Sequence, residues 1–353
     1  MSKIIVQSEG ELNDIKDLIS KKIPNYRQAY SDRTSFIMAC LSELVYLRFN
    51  EAFFKKDDKK IVDRISSLVS EEKLVAFKKL YDVFGYDHEE EIKTLKEELK
   101  VLDIELIKTF DTNGTQAMII STQTFYALVF RGTEVTSIKD IKADLDAKII
   151  KCESGGKIHR GFNDAFAEVH IEIQNYLNNE LVENKPLFIS GHSLGGALAT
   201  VASKKLTYEN GISACYTFGS PRVGDEDWMQ NIKTPIYRMV NSADPVTMLP
   251  PGDEIISPIA TILDFCRLES FSKKLLANFG GYYHIGNMKF LTNVEDSNYE
   301  SARLLYSVSI LRRLKAYWGN FTSLKSIPSD HSMTVYRKKL KFIAINKNQK
   351  SGN

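Results

Sequence analysis

Leu187-Phe188-Ile189-Ser190-Gly191-His192-Ser193-Leu194-Gly195-Gly196-Ala197-Leu198-Ala199 runs a short apolar stretch straight into a serine framed by glycines and then into small residues. The first four residues suit a buried strand, and the last five suit a helix that packs close to a sheet. Between them, Gly-x-Ser-x-Gly in a strand–turn–helix setting is the arrangement that lifts a serine hydroxyl above the end of a sheet. The turn forces strained dihedrals on the serine. Side chains at Gly191 and Gly195 would collide with the crowded backbone. The N-terminus of the following helix favours negative charge beside Ser193.

Outward from this turn the same alternation recurs. Leu187–Ser190, Ala214–Phe218 and Ile236–Val240 are apolar runs separated by helical stretches. They predict an α/β fold, a mostly parallel central sheet flanked by helices. Upstream, Ile104–Phe110 and Gln116–Ser121 flank Asn113-Gly114, a hairpin signal, and Phe125–Phe130 reads as a third strand. Residues 1–105 read instead as a helical region packed on the core. There Ser31-Asp32-Arg33-Thr34 offers caps ahead of Phe36, Ile37, Leu41 and Leu44, and a charged amphipathic stretch runs from Asp57 to Leu102. The core domain is then 106–345, with a helical insertion at about 252–325, and 346–353 is a polar tail. Within the insertion, Arg303 to Trp318 reads as a helix that sets Arg312 and Arg313 opposite an apolar face.

A serine hydroxyl is a weak nucleophile near neutral pH and needs a base and an orienting acid. Functional groups of such sheets gather beyond the carboxyl ends of the strands, in the chain order Ser, acid, His. Asp244 follows the run Ile236–Val240 directly, although Asp244-Pro245 also reads as the start of a turn. Two histidines lie downstream. His284 opens an apolar run that reads as the last strand, which suits a structural hydrogen bond. His331 precedes Met333, Tyr336 and Leu340 at helical spacing, which places it on the loop before the final helix, where the base belongs. His192 adjoins the serine and should turn its ring away from it, and His159 reads as a packing residue. The oxyanion of a tetrahedral intermediate needs preorganised donors. The backbone N–H of Leu194 is one, and Thr133, at the end of Phe130-Arg131-Gly132-Thr133, supplies the other.

With these blocks in view, the chain resembles the class 3 (fungal-type) lipases of the α/β-hydrolase superfamily. The resemblance rests on Phe130–Thr133, Ile158-His159-Arg160-Gly161-Phe162, Gly191–Ala197, Tyr216–Gly224, Ser242–Val246 with Leu249–Pro251, and Asp330-His331. It implies a triad of Ser193, Asp244 and His331, an elbow of Gly191, His192 and Gly195, and an oxyanion hole at Thr133 and Leu194, with no metal and no cofactor. It further implies a serine carboxylic-ester hydrolase, a lipase or esterase, whose partner is a lipid or small ester substrate. The stretch that follows the oxyanion residue as a lid in this family has here only Val135, Ile138, Ile141 and Leu145 as larger apolar residues. A phospholipase A1 or lysophospholipase is the alternative within the same mechanism. A non-catalytic hydrolase-fold interaction protein is the alternative outside it, and three retained chemical groups argue against that.

The net charge of +2 offers no field for nucleic acid, and none is expected as a partner. Between Arg303 and Lys350, however, eleven Lys/Arg face a single acid, Asp330. That asymmetry reads first as a solvated basic surface and second as peripheral contact of the C-terminal region with anionic membrane. No apolar run approaches the roughly 20 residues of a membrane span, and none near Met1 suits a signal peptide. The four cysteines are widely spaced and read as free thiols. A cytoplasmic location follows as the expectation, with non-classical export as the alternative.

Overall fold

The computed structural model describes residues 4–21, 29–47, 66–67, 88–112, 114–132, 148–294, 298–309 and 330–351. Three helices come first: α1 (Glu9–Ser20), α2 (Asp32–Leu44) and α3 (His88–Val101). Ser31 caps α2, its side chain accepting from the N–H of Thr34, which satisfies one of the open donors of a first turn. The chain then changes period. Strands β1 (Glu105–Thr112), β2 (Thr115–Ser121) and β3 (Tyr126–Phe130) form an antiparallel meander, with Gly114 at φ 87° in the first turn.

A small ribbon of β4 (Ile149–Lys151) and β5 (Lys157–His159) leads into the long helix α4 (Arg160–Asn179). After it come β6 (Leu187–His192), α5 (Leu194–Lys205), β7 (Ile212–Phe218), the short α6 (Glu226–Met229) and β8 (Ile236–Asn241). A pair of helices, α7 (Asp253–Phe265) and α8 (Glu269–Phe279), precedes β9 (Asn287–Leu291) and β10 (Leu304–Leu305), and α9 (Met333–Ser351) closes the chain.

The sheet order is β1-β2-β3-β6-β7-β8-β9-β10, with parallel pairing from β3 through β9 and antiparallel pairing at both margins. Alternation along each strand sorts side chains to two faces. Met118, Ile120, Ala127, Val129 and Tyr216 join one core with α2, α3 and α9. Ala117, Ile119, Leu128, Ile189 and Cys215 join a second with α4 and α5. The expected mostly parallel sheet flanked by helices is thus the observed architecture, an α/β-hydrolase fold.

The helical reading of Arg303–Trp318 is corrected where the structure describes it. Leu304 and Leu305 pair with Leu291 and Phe290 as the edge strand β10; the N–H of Thr292 donates to the Arg303 carbonyl, and the N–H of Arg303 donates to the Thr292 hydroxyl. An apolar pair beside an open sheet edge satisfies more backbone groups as a strand than as a helix start. Arg312, Arg313 and Trp318 lie outside the described residues, as do most of the Asp57–Leu102 stretch and the lid-like segment after Thr133.

Candidate active site

The loops after the parallel strands β6 and β8 meet the segment that leads into α9. β6 ends in the elbow, where Ser193 holds φ 58° and ψ −125°, a conformation that is strained for a residue with a side chain. The space explains the glycines. A Cβ on Gly191 would fall on the carbonyl of Gly195, and one on Gly195 would fall on the carbonyl of Phe130. The N–H of Ser193 donates to Phe218 O at 2.9 Å, which ties the elbow to the end of β7. Leu194 is the first residue of α5, so its N–H has no acceptor within the helix.

His331 lies beside Ser193, its Nε2 2.9 Å from the serine Oγ. Its Nδ1 is 2.9 and 3.0 Å from the two carboxylate oxygens of Asp244. A carboxylate only accepts, so Nδ1 carries the proton and Nε2 is left bare toward Ser193. Asp244 is buried and receives two further bonds, from the N–H of Val246 at 2.9 Å and the hydroxyl of Tyr336 at 2.6 Å. Burial, and then the Asp244 charge, push the Tyr336 phenol well above its ordinary range. It stays protonated and donates. Its oxygen accepts from the N–H of Asn241 at 2.9 Å. Gly219 (φ 57°) passes so close that a Cβ there would lie 2.7 Å from Asp244 Oδ2 and 3.0 Å from His331 Nδ1.

His192 also bears on the base. Its Nε2 lies 2.7 Å from the backbone carbonyl of His331 and its Nδ1 2.8 Å from the hydroxyl of Tyr46. The carbonyl can only accept, so Nε2 carries the proton and Nδ1 accepts from Tyr46. Burial, and then the neighbouring His331, hold the pKa of His192 well below the usual histidine value, so it is a neutral ring with both nitrogens engaged. The two imidazoles pack with centroids 4.6 Å apart. Tyr46 follows α2, so the N-terminal helical region reaches the site. Ser42 Oγ lies 2.7 Å from Ser190 Oγ on β6 in the same contact.

The other expected residues are elsewhere. His284 Nε2 donates to Thr247 O at 2.6 Å, in the loop after Asp244, 37 residues upstream. His159 caps α4, accepting from the N–H of Phe162 and stacking on that ring at 4.0 Å. Thr133 lies outside the described residues. Sequence reasoning missed Tyr46, Tyr336 and Asn241. In the sequence Tyr336 counts toward the apolar face of the last helix, and the signal for its role is its place five residues beyond His331, one turn into that helix.

Fold and site together define a serine-hydrolase architecture, and the comparisons narrow it. Residues 127–254 match the model of the family Lipase (class 3). A lipase of Rhizomucor miehei is 35% identical over 167 residues, 42% of this chain and 45% of that protein. A secreted mono- and diacylglycerol lipase 1 of Fusarium solani is 40% identical over 105 residues, 28% of this chain and 31% of that protein. The toxin TseL of Vibrio cholerae is 30% identical over 177 residues, 47% of this chain and 27% of that protein. Among solved structures, a Rhizomucor miehei lipase propeptide complex aligns with 59% of this chain and 61% of its own, at 27% identity and a TM-score of 0.44. The chain therefore spans less than half the length of each of these three curated relatives. The family match ends before His331, and neither Tyr46 nor Tyr336 falls within it.

Proposed function

We propose that the protein hydrolyses carboxylic esters of lipids through an acyl-enzyme, with Ser193 as nucleophile, His331 as base and Asp244 as the orienting acid. The observation that carries the reading is the unbroken line Ser193 Oγ, His331 Nε2, His331 Nδ1–H, Asp244 carboxylate, with every contact at hydrogen-bond distance. As Ser193 attacks the ester carbonyl, His331 takes its proton and Asp244 stabilises the imidazolium. The N–H of Leu194, with Thr133, receives the developing oxyanion. His331 then returns the proton to the leaving alcohol, and water cleaves the acyl-enzyme by the same steps in turn.

Lipid esters are favoured as substrates because the family module and the named relatives are lipases. A phospholipase A1 or lysophospholipase remains the alternative substrate class. Contact with anionic membrane through the C-terminal region rests on the excess of Lys/Arg between Arg303 and Lys350, of which Arg312, Arg313, Lys315 and Lys325 lie outside the described residues. On α9, Arg337 and Lys339 turn inward, and Lys341 pairs with Glu11 at 2.7 Å. A cytoplasmic location accords with four free cysteines, two of them buried.

A fluorophosphonate probe and a panel of p-nitrophenyl esters, monoglycerides and phosphatidylglycerol test the reading. Ser193→Ala abolishes labelling and turnover, and His331→Ala lowers kcat by on the order of three decades or more. Labelling that persists in Ser193→Ala overturns the assignment.

A further inference from the structure

The helical pair α7–α8 is more apolar than its own packing requires. Along α7, Ile256 and Ala260 turn inward and are buried. Ile259 and Ile262 recur on another face, and Phe265 ends the helix at 89% exposure. Leu268 follows in the turn, and Phe271 on α8 is 63% exposed. Six of the ten large apolar side chains exposed among the described residues fall within 259–276. Four of them, Ile262, Phe265, Leu268 and Phe271, lie at or beside the turn that forms the tip of the pair. A water-facing helix ordinarily keeps one apolar stripe for its neighbour and a polar remainder, and scattered single exposures need no explanation, whereas a cluster of this kind does.

The root of the pair lies at the catalytic edge. Gly252 caps α7 shortly after Asp244 in the chain, and the carboxylate of Asp253 accepts from the N–H of Gly281 at 2.7 Å, closing the base. The buried Arg222, in the loop after β7, donates to Met248 O and Pro250 O at 2.6 and 2.8 Å and so clamps the connecting segment. The pair is thus rooted at the end of the sheet that carries Ser193 and Asp244.

We propose that the α7–α8 tip is a lipid-docking element that inserts Ile262, Phe265, Leu268 and Phe271 into a phospholipid surface and brings the active site to it. A lipid surface fits better than a second copy of the chain or another protein. The apolar side chains end a narrow two-helix projection instead of forming the broad flat face that a stable dimer needs. The exposed charges among them nearly balance, Asp264 and Glu269 against Arg267, Lys273 and Lys274. The two lysines follow Phe271 by two and three residues, one step further from the tip, where long stems let ammonium groups reach headgroups while the ring enters the acyl region. Insertion is therefore driven by apolar burial and resists salt.

The role in catalysis rests on the lipid-ester reading, so binding and hydrolysis are measured separately. The full chain is floated with phosphatidylcholine vesicles at low and high salt, as wild type, Ser193→Ala, and Phe265→Ser/Phe271→Ser. Hydrolysis of a water-soluble p-nitrophenyl ester is followed in parallel, with oligomeric state in lipid-free buffer. Wild type and Ser193→Ala bind at both salt levels. The double variant binds on the order of a hundredfold more weakly, each buried aromatic being worth about tenfold, and keeps its turnover on the soluble ester. Absence of binding, binding that high salt abolishes, or binding untouched by the double substitution overturns the proposal. So does a wild-type dimer that the substitution dissolves. Salt-resistant binding that the double variant loses, in a protein that hydrolyses no ester, sustains the docking element and defeats the catalytic reading instead.

Discussion

His192 stands between two groups that no local pattern connects, the hydroxyl of Tyr46 and the backbone of His331. It acts as a positioning residue: it does not reach the serine oxygen, but it fixes the loop that carries the base. Its depressed pKa sets a pH dependence. The unfolded chain binds a proton on this ring below about pH 6.5 while the folded chain does not. Its contribution to stability is therefore full above that pH and is lost as pH falls. Urea titrations between pH 5 and 7.5 should show wild type losing up to about 1.4 kcal/mol per pH unit from this group relative to His192→Phe. Parallel curves for the two proteins refute the neutral, buried assignment. His192→Phe should also lower kcat on a soluble ester more than it raises KM, because the substrate itself is not held by this ring.

Elements set the distances that residues then exploit. The elbow needs β6 to end against the start of α5 with only glycines between the crossing backbones. Gly195→Ala tests this directly, since the added methyl meets the carbonyl of Phe130 and either the elbow or β3 must shift. We expect a stability loss of about 1–3 kcal/mol and a fall in kcat of on the order of a hundredfold, the usual consequence of displacing a reacting group by about an ångström. Denaturation and single-turnover measurements check the two effects independently. An unchanged rate means that the crossing is looser than described. The elbow was legible because it is local: strand, glycines, serine and helix follow one another without interruption. The strand β10 was not, because a leucine pair suits a helix as well as an edge. Only the open flank of β9, reached through space, selects the extended form.

At the scale of the molecule, the two ends of the chain close on each other. Arg337 on α9 pairs with Glu43 on α2 and donates to the carbonyls of Ile4 and Ile5 at 3.2 and 3.4 Å. Glu98 on α3 accepts from the N–H groups of the same two residues. Thr334 donates to the other oxygen of Glu43 at 2.7 Å. The contact holds α9, and with it Tyr336 and the His331 loop, against the sheet. Arg337→Ala leaves the partly buried Glu43 carboxylate without its cation, and we expect a loss of about 3 kcal/mol in urea unfolding. Replacing both members by methionine should cost about 2 kcal/mol less than that single change, because no charge is then stranded. If the double replacement is the more damaging, the pair contributes more through attraction than its desolvation takes away.

What the sequence determined by itself is whatever neighbouring residues decide. Periodicity marked the parallel strands and their helices, the glycine-framed Ser193 marked the turn between β6 and α5, and the order of Ser193, Asp244 and His331 along the chain followed from the positions of strand ends. What only the tertiary structure decided is which distant groups meet. Tyr46 joins His192 across 146 residues, Tyr336 reaches Asp244 across 92, and Arg337 finds Glu43 across 294. The exposure of Phe265 and Phe271 belongs to the same class, since their apolarity was visible but not what, if anything, covered it. Local propensity and steric crowding act over a few residues and leave a readable pattern. Hydrogen bonds and burial between remote segments depend on how the sheet orders its strands, which no short stretch of residues encodes.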